Sequence, residues 1–129
     1  MLKSEPVDFE INVIAENGEE YRGFFSALPQ LSHRLTLQKD RKYRELLGDK
    51  PDQADEYSKL LSIYLADLGV RLVRTPNWWK ETDGGLELES FNVISEIAQK
   101  VSEIIKKAND EIQAKAEKSR KELKDTKPL

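Results

Sequence analysis

From Val7 to Ile14 the chain reads Val-Asp-Phe-Glu-Ile-Asn-Val-Ile. Apolar and polar residues alternate there with the period of two that marks a strand with one buried face. Asn17-Gly18 follows, the favoured pair for a type I′ turn, and the chain returns through Tyr21-Arg22-Gly23-Phe24-Phe25. A two-residue loop sets Ile14 opposite Tyr21 and Ile11 opposite Phe24, so Phe9, Ile11 and Phe24 are expected in the core. A hairpin alone is marginal in water, and one of its faces must therefore lie on helices.

Beyond Pro29 the period changes to that of a helix. Ser32 is a candidate N-cap, Leu35, Tyr43, Leu46 and Leu47 supply apolar positions, and Gly48 follows as a C-terminal glycine should, giving a helix over 33–47. Asp52 is placed to cap the next helix, over 53–73. Its stripe of Tyr57, Leu60, Leu61, Tyr64, Leu65, Leu68 and Leu72 recurs at spacings of three and four. Val70-Arg71-Leu72-Val73 also reads as a short strand; the stripe favours a helix to about Val73, stopped before Pro76. Asn77 to Gly85 reads as a connecting loop. Ser90 or Asn92 then caps a last helix, over 91–112, whose stripe is Ile94, Ile97, Val101, Ile104, Ala108 and Ile112. Past Ile112 the residues still favour a helix but have little to bury, which predicts a frayed, solvated helix passing into a disordered end. The fold expected is α+β: an N-terminal β-hairpin on a mainly α-helical body with a long C-terminal helix. Residues 1–112 form one globular domain and 113–129 a charged tail. The expected core is completed by Leu61, Leu68, Trp79, Ile94, Ile97, Val101 and Ile104.

Composition narrows the function. The 129 residues carry 21 Lys or Arg and 24 Asp or Glu, a formal net charge of −3. Such a balance argues against direct binding of duplex nucleic acid, which needs clustered cations. From Lys100 onward nine basic residues face six acidic ones, so a tail of +3 follows a body of −6; it could fold back or meet an acidic partner. No cysteine and a single histidine, His33, leave no thiolate zinc site, no cysteine nucleophile and no expected metal or cofactor. No apolar run approaches bilayer length, and the start, Met-Leu-Lys-Ser-Glu-Pro, lacks the apolar region of a signal peptide.

No catalytic residue is assigned. His33 and Asp40 stand two helical turns apart and could pair, but a lone capping or surface histidine is the plainer reading. Asp49, Asp52, Asp55 and Glu56 flank a helix start, where negative charge complements the dipole. Asp83 to Glu89 lacks the ligand spacing of a calcium loop. The Trp78-Trp79 pair is the most informative feature. Either both rings cap the core, or Trp79 enters it while Trp78, nearer the turn at Pro76-Asn77, stays near the surface as an anchor for a protein partner. Trp78, with Tyr43 and Lys80, is the candidate partner-binding set.

Three stretches carry a family likeness: Glu20-Tyr21-Arg22-Gly23-Phe24 with Leu31-Ser32; Asp40-Arg41-Lys42-Tyr43-Arg44-Glu45-Leu46-Leu47-Gly48; and Pro76-Asn77-Trp78-Trp79-Lys80 with Gly84-Gly85-Leu86-Glu87-Leu88 and Asn92-Val93-Ile94. From about Phe9 to Ile105 the chain resembles the tail assembly chaperones of tailed bacteriophages. The resemblance implies an α-rich fold with a β element and no catalytic residues. It also implies a non-enzymatic role in the host cytoplasm, keeping the tape-measure protein soluble and recruiting tail-tube subunits. The same composition suits a permanent virion component, such as a neck or tail-completion protein, or a small phage-encoded inhibitor or enzyme. The C-terminal helix could also join copies of the chain into a homo-oligomer.

Overall fold

The computed structural model describes residues 5–49 and 51–125. Strands β1 (Val7–Ile14) and β2 (Glu20–Ala27) form an antiparallel hairpin. Helix α1 (His33–Leu47), a short 3-10 turn (Pro51–Gln53), helix α2 (Glu56–Arg71), strand β3 (Leu72–Arg74), helix α3 (Asn77–Glu81) and helix α4 (Phe91–Asp125) follow. The sheet order is β1-β2-β3. The fold is α+β, with the hairpin at the N-terminal end and a long C-terminal helix.

The hairpin turn differs from the expected one, with consequences for the core. The Ala15 amide donates to the Glu19 carbonyl at 2.8 Å, and the Gly18 amide donates to the Ala15 carbonyl at 2.9 Å. Gly18 has φ +86°, whereas Asn17 is not among the positive-φ residues. This is a three-residue loop, a type I turn followed by a left-handed glycine, rather than a type I′ turn. The odd loop shifts the register by one: Ile14 faces Glu20, Val13 faces Tyr21, Ile11 faces Gly23 and Phe9 faces Phe25. Such a slip exchanges the two faces of the returning strand. Phe24, expected in the core, is therefore 66% exposed opposite Glu10, and Phe25 takes the interior place at 0%. Ile11, Leu68, Trp79, Ile94, Ile97 and Val101 are buried, with Phe9, Leu61 and Ile104 half-buried against them.

Helix α2 stops at Arg71 rather than near Val73. Leu72 to Arg74 instead extends the sheet, pairing Ala27 with Leu72 and Ser26 with Arg74 around an irregularity that leaves Val73 without a partner residue on β2. The open edge of β2 offers Leu72 and Arg74 ladder pairing that a further helical turn before Pro76 could not supply. Three charged side chains, Arg71, Asp67 and Lys39, hold this region. The buried Arg71 guanidinium donates from Nε to Asp67 at 2.8 and 3.0 Å and from Nη1 to the Leu28 carbonyl at 2.9 Å. Lys39 on α1 reaches Asp67 at 3.1 Å, so one carboxylate ties α1 to α2.

Capping residues explain the helix starts. Ser32 Oγ accepts from the Leu35 amide at 3.3 Å, and Gly48, at φ +82°, donates its amide to the Arg44 carbonyl. Helix α2 is capped by Asp55, whose Oδ1 accepts from the Ser58 amide at 2.7 Å; Asp52 lies in the preceding 3-10 turn. Ser90 Oγ accepts from the Val93 amide at 3.2 Å and donates to Glu16 Oε1 at 2.6 Å, and Glu16 Oε2 accepts from the Phe91 amide at 3.1 Å. The hairpin loop thus caps α4 from across the chain. Beyond the expected end at Ile112, α4 continues without a break to Asp125. The expected disordered end, so far as it concerns residues 126–129, lies outside the described residues, as do Met1–Ser4.

Arg71→Ala leaves Asp67 half-covered and the Leu28 carbonyl without its donor, and should cost about 3 kcal/mol in urea denaturation. The Ser90 hydroxyl, with backbone amides, holds the Glu16 carboxyl below its usual range. A depressed folded-state pKa contributes stability above the unfolded value that is lost as pH falls through the folded one. Glu16→Gln should therefore lower Tm at pH 7, and its gap to wild type should close as pH drops below the usual glutamate range in thermal scans.

Candidate interaction surfaces

The tryptophan segment is one helical turn rather than a loop. Pro76 precedes it in an extended conformation (φ −68°, ψ 161°), and Thr82 ends it by donating Oγ1 to the Trp78 and Trp79 carbonyls at 2.8 and 3.0 Å. Neighbouring side chains on a helix point about 100° apart, not to opposite sides as on a strand. Both rings consequently reach the same residue. Trp78 and Trp79 stand edge-on to Phe25 with centroids 5.8 and 5.9 Å away, and Trp78 also meets Tyr21 at 5.0 Å.

Trp79 is 4% exposed. It lies over Gly85, whose φ is +90° and where a Cβ would fall 2.8 Å from Trp79 Cη2 and 2.9 Å from Ile94 Cδ1. Trp78 is half-buried, and its Nε1 donates to the Arg22 carbonyl at 2.7 Å. Pro76 rests on Gly23, where a Cβ would come within 2.7 Å of Pro76 Cγ. The polar handle of Trp78 therefore docks α3 onto the hairpin.

The candidate partner-binding residues do not share one element. Trp78 and Lys80, the latter exposed, are on α3; Tyr43 is half-buried on α1, which packs on α2. His33 and Asp40 are not paired with each other in the manner considered: Asp40 takes Arg44 at 2.7 Å, one turn along the same helix. Tyr57 and Tyr64 flank Phe91 with centroids 5.4 and 6.2 Å from its ring.

Two of the concavities that border α4 combine it with other elements. The larger, about 720 Å³, lies where the helix leaves the body, between Val7 and Pro29 on one wall and Ile104, Ala108 and Ile112 on the other, with Glu5, Lys107, Glu111 and Lys115 at its rim. Its sequence signal was the apolar stripe running past Val101; that the first residues of β1 would form the opposite wall was not legible. The smaller, about 300 Å³, lies at the start of α4 and includes Leu61, Leu65, Leu86 and Ile94. Among the described residues no cluster of His, Cys, Asp or Glu is placed to hold a metal ion, and no helix is long and apolar enough to cross a membrane.

Fold and surface define an α+β protein whose long terminal helix is half built into the body and half projecting from it. Set against known proteins, the chain matches no family model, no curated protein and no solved structure.

Gly23→Ala forces Pro76 off the hairpin and lengthens the bond from Trp78 to Arg22. The expected cost is about 1–3 kcal/mol, with Trp78 becoming more accessible to acrylamide in a Trp79→Phe background.

Proposed function

We propose that this protein is a non-enzymatic assembly factor of the phage tail assembly chaperone kind, acting in the host cytoplasm during virion morphogenesis on tape-measure and tail-tube proteins. The observation that carries this reading is the groove along α4. Its floor of Val7, Pro29, Ile104, Ala108 and Ile112 is apolar, Val7 and Ile112 are exposed, and charged side chains line its edge. A concavity beside a helix suits an amphipathic helical segment, whose apolar positions at i, i+3 and i+4 would meet the stripe of α4. The likeness of the Glu20–Phe24, Asp40–Gly48 and Pro76–Lys80 stretches to tail assembly chaperones supplies the biological setting.

A second reading rests on the far half of α4. From Gln113 to Leu123 its side chains are mostly exposed on one continuous helix. Such an arm also suits a permanent virion component, held between subunits of the particle, and it suits joining of copies into a homo-oligomer.

Co-expression with the tape-measure and tube proteins should yield a soluble complex that is absent when either partner is expressed alone. Ile112→Glu should weaken capture at least about tenfold, or roughly 1.4 kcal/mol, while leaving Tm within a few degrees, because an exposed site carries little folding energy. Mass spectrometry of mature particles separates the two readings: absence of the chain fits the assembly factor, a fixed copy number the virion component.

A further inference from the structure

The α4 side of the groove repeats its own pattern. Ile104, Ala108 and Ile112 follow one another at intervals of four, so they form a single ridge along the helix, with Ala116 next on the same line. The small Ala108 stands midway between the two isoleucines. A ridge of this spacing interdigitates with the same ridge on another helix at an inclination of about 50° and an axis separation of about 8–10 Å. Beside the ridge, Lys107 precedes Glu111 by one helical turn; both line the groove and both are exposed. Neither side chain is in an ion pair among the described residues.

This order of sign selects an occupant. A second α4 laid antiparallel across Ala108 brings its Glu111 to the first copy's Lys107, and its Lys107 to the first copy's Glu111. Ile104 of each copy then meets Ile112 of the other. A parallel copy would set lysine against lysine. We infer that the groove is closed by the distal half of α4 from a second copy of this chain, in an antiparallel dimer centred on Ala108. The contact is isologous, so it is complete at two copies. The same register sets Lys100 in line with Lys118 of the other copy, but both stand about 13 Å from the crossing at 1.5 Å per residue. Axes inclined by about 50° have separated too far there for the two to meet. The projecting half of α4 thus covers apolar surface that each body leaves open, which accounts for a helix that continues past its own core. This inference rests on the reading of the groove as a site for a helix, and it identifies what fills that site when no tail protein is bound.

Sedimentation equilibrium of the full chain tests it. The mean mass should rise with concentration to twice the 14.9 kDa of one chain and no further. Lys107→Glu sets glutamate against Glu111, and Glu111→Lys sets lysine against Lys107. Each should weaken the dimer at least about tenfold with unchanged circular dichroism melts. Mixed in equal amounts, the two variants should regain a dimer within about threefold of the wild-type affinity, because both mixed contacts again join opposite charges. The chain has no cysteine, so Ala108→Cys should form a disulfide between copies under mild oxidation, whereas Ser119→Cys, far from the crossing, should not. A wild-type chain that stays monomeric to about 1 mM, a mass that grows beyond the dimer, single variants as dimeric as wild type, or a mixture that stays monomeric would each overturn the inference. Dimerisation is read on the chain alone and capture by co-expression. A monomer that still captures tape-measure and tube proteins sinks the inference and leaves the assembly reading standing; a dimer that captures neither does the reverse.

Discussion

Phe25 is the residue on which the remaining elements are assembled, and its place depends on the length of the hairpin loop. Its ring stacks on Phe9 at 5.3 Å and receives the edges of Trp78 and Trp79. Aromatic pairs of this kind contribute about 0.5–1.5 kcal/mol each beyond the area they bury. The dependence is mutual. A two-stranded hairpin is marginal without a packed face, and a five-residue helix such as α3 has no independent stability in water. Each becomes ordered because the other covers it, and Gly23 allows the backbone approach that brings them together.

The same body fixes one end of α4 and leaves the other projecting. Glu16 in the hairpin loop satisfies the first amides and the Ser90 hydroxyl, while Val93, Ile94, Ile97 and Val101 bury one face. Past Ile104 the body ends but the helix does not, and the stripe that was core becomes the floor of a groove and then an exposed face. Continuity of a helix across the edge of its own core presents apolar side chains at a controlled spacing without requiring a mobile loop. The proposed roles in capturing a helical partner and in joining copies of the chain both draw on that geometry.

Much of the architecture was legible because it is set by local chemistry. Ser32 and Gly48 bound α1 at the expected residues, since capping depends on neighbours a turn away. Ser90 opens α4 for the same reason, and the Ile94–Val101 stripe is buried as its spacing requires. The misplacements have a common cause in competition between local options of similar free energy. Asn17-Gly18 is compatible with turns of two and of three residues, and only the packing of Phe25 rather than Phe24 selects the odd one. Val70 to Val73 reads as helix or strand, the stripe favours the helix, and the open edge of β2 decides for strand after Arg71. The turn at Trp78-Trp79 is helical because both rings find Phe25, a residue more than fifty positions away.

The sequence by itself determined the α+β class, the hairpin, the three main helices and the buried face of α4, because periodicity and capping act over a few residues. Tertiary structure alone decided which phenylalanine is core, where α2 yields to β3, and how Arg71, Asp67 and Lys39 are joined. It also decided that Glu16 caps a helix starting at Phe91 and that Val7 and Pro29 face Ile112 across a groove. Those outcomes depend on contacts between residues distant in sequence, whose strength is set by burial and by the geometry of approach, and no spacing along the chain encodes either.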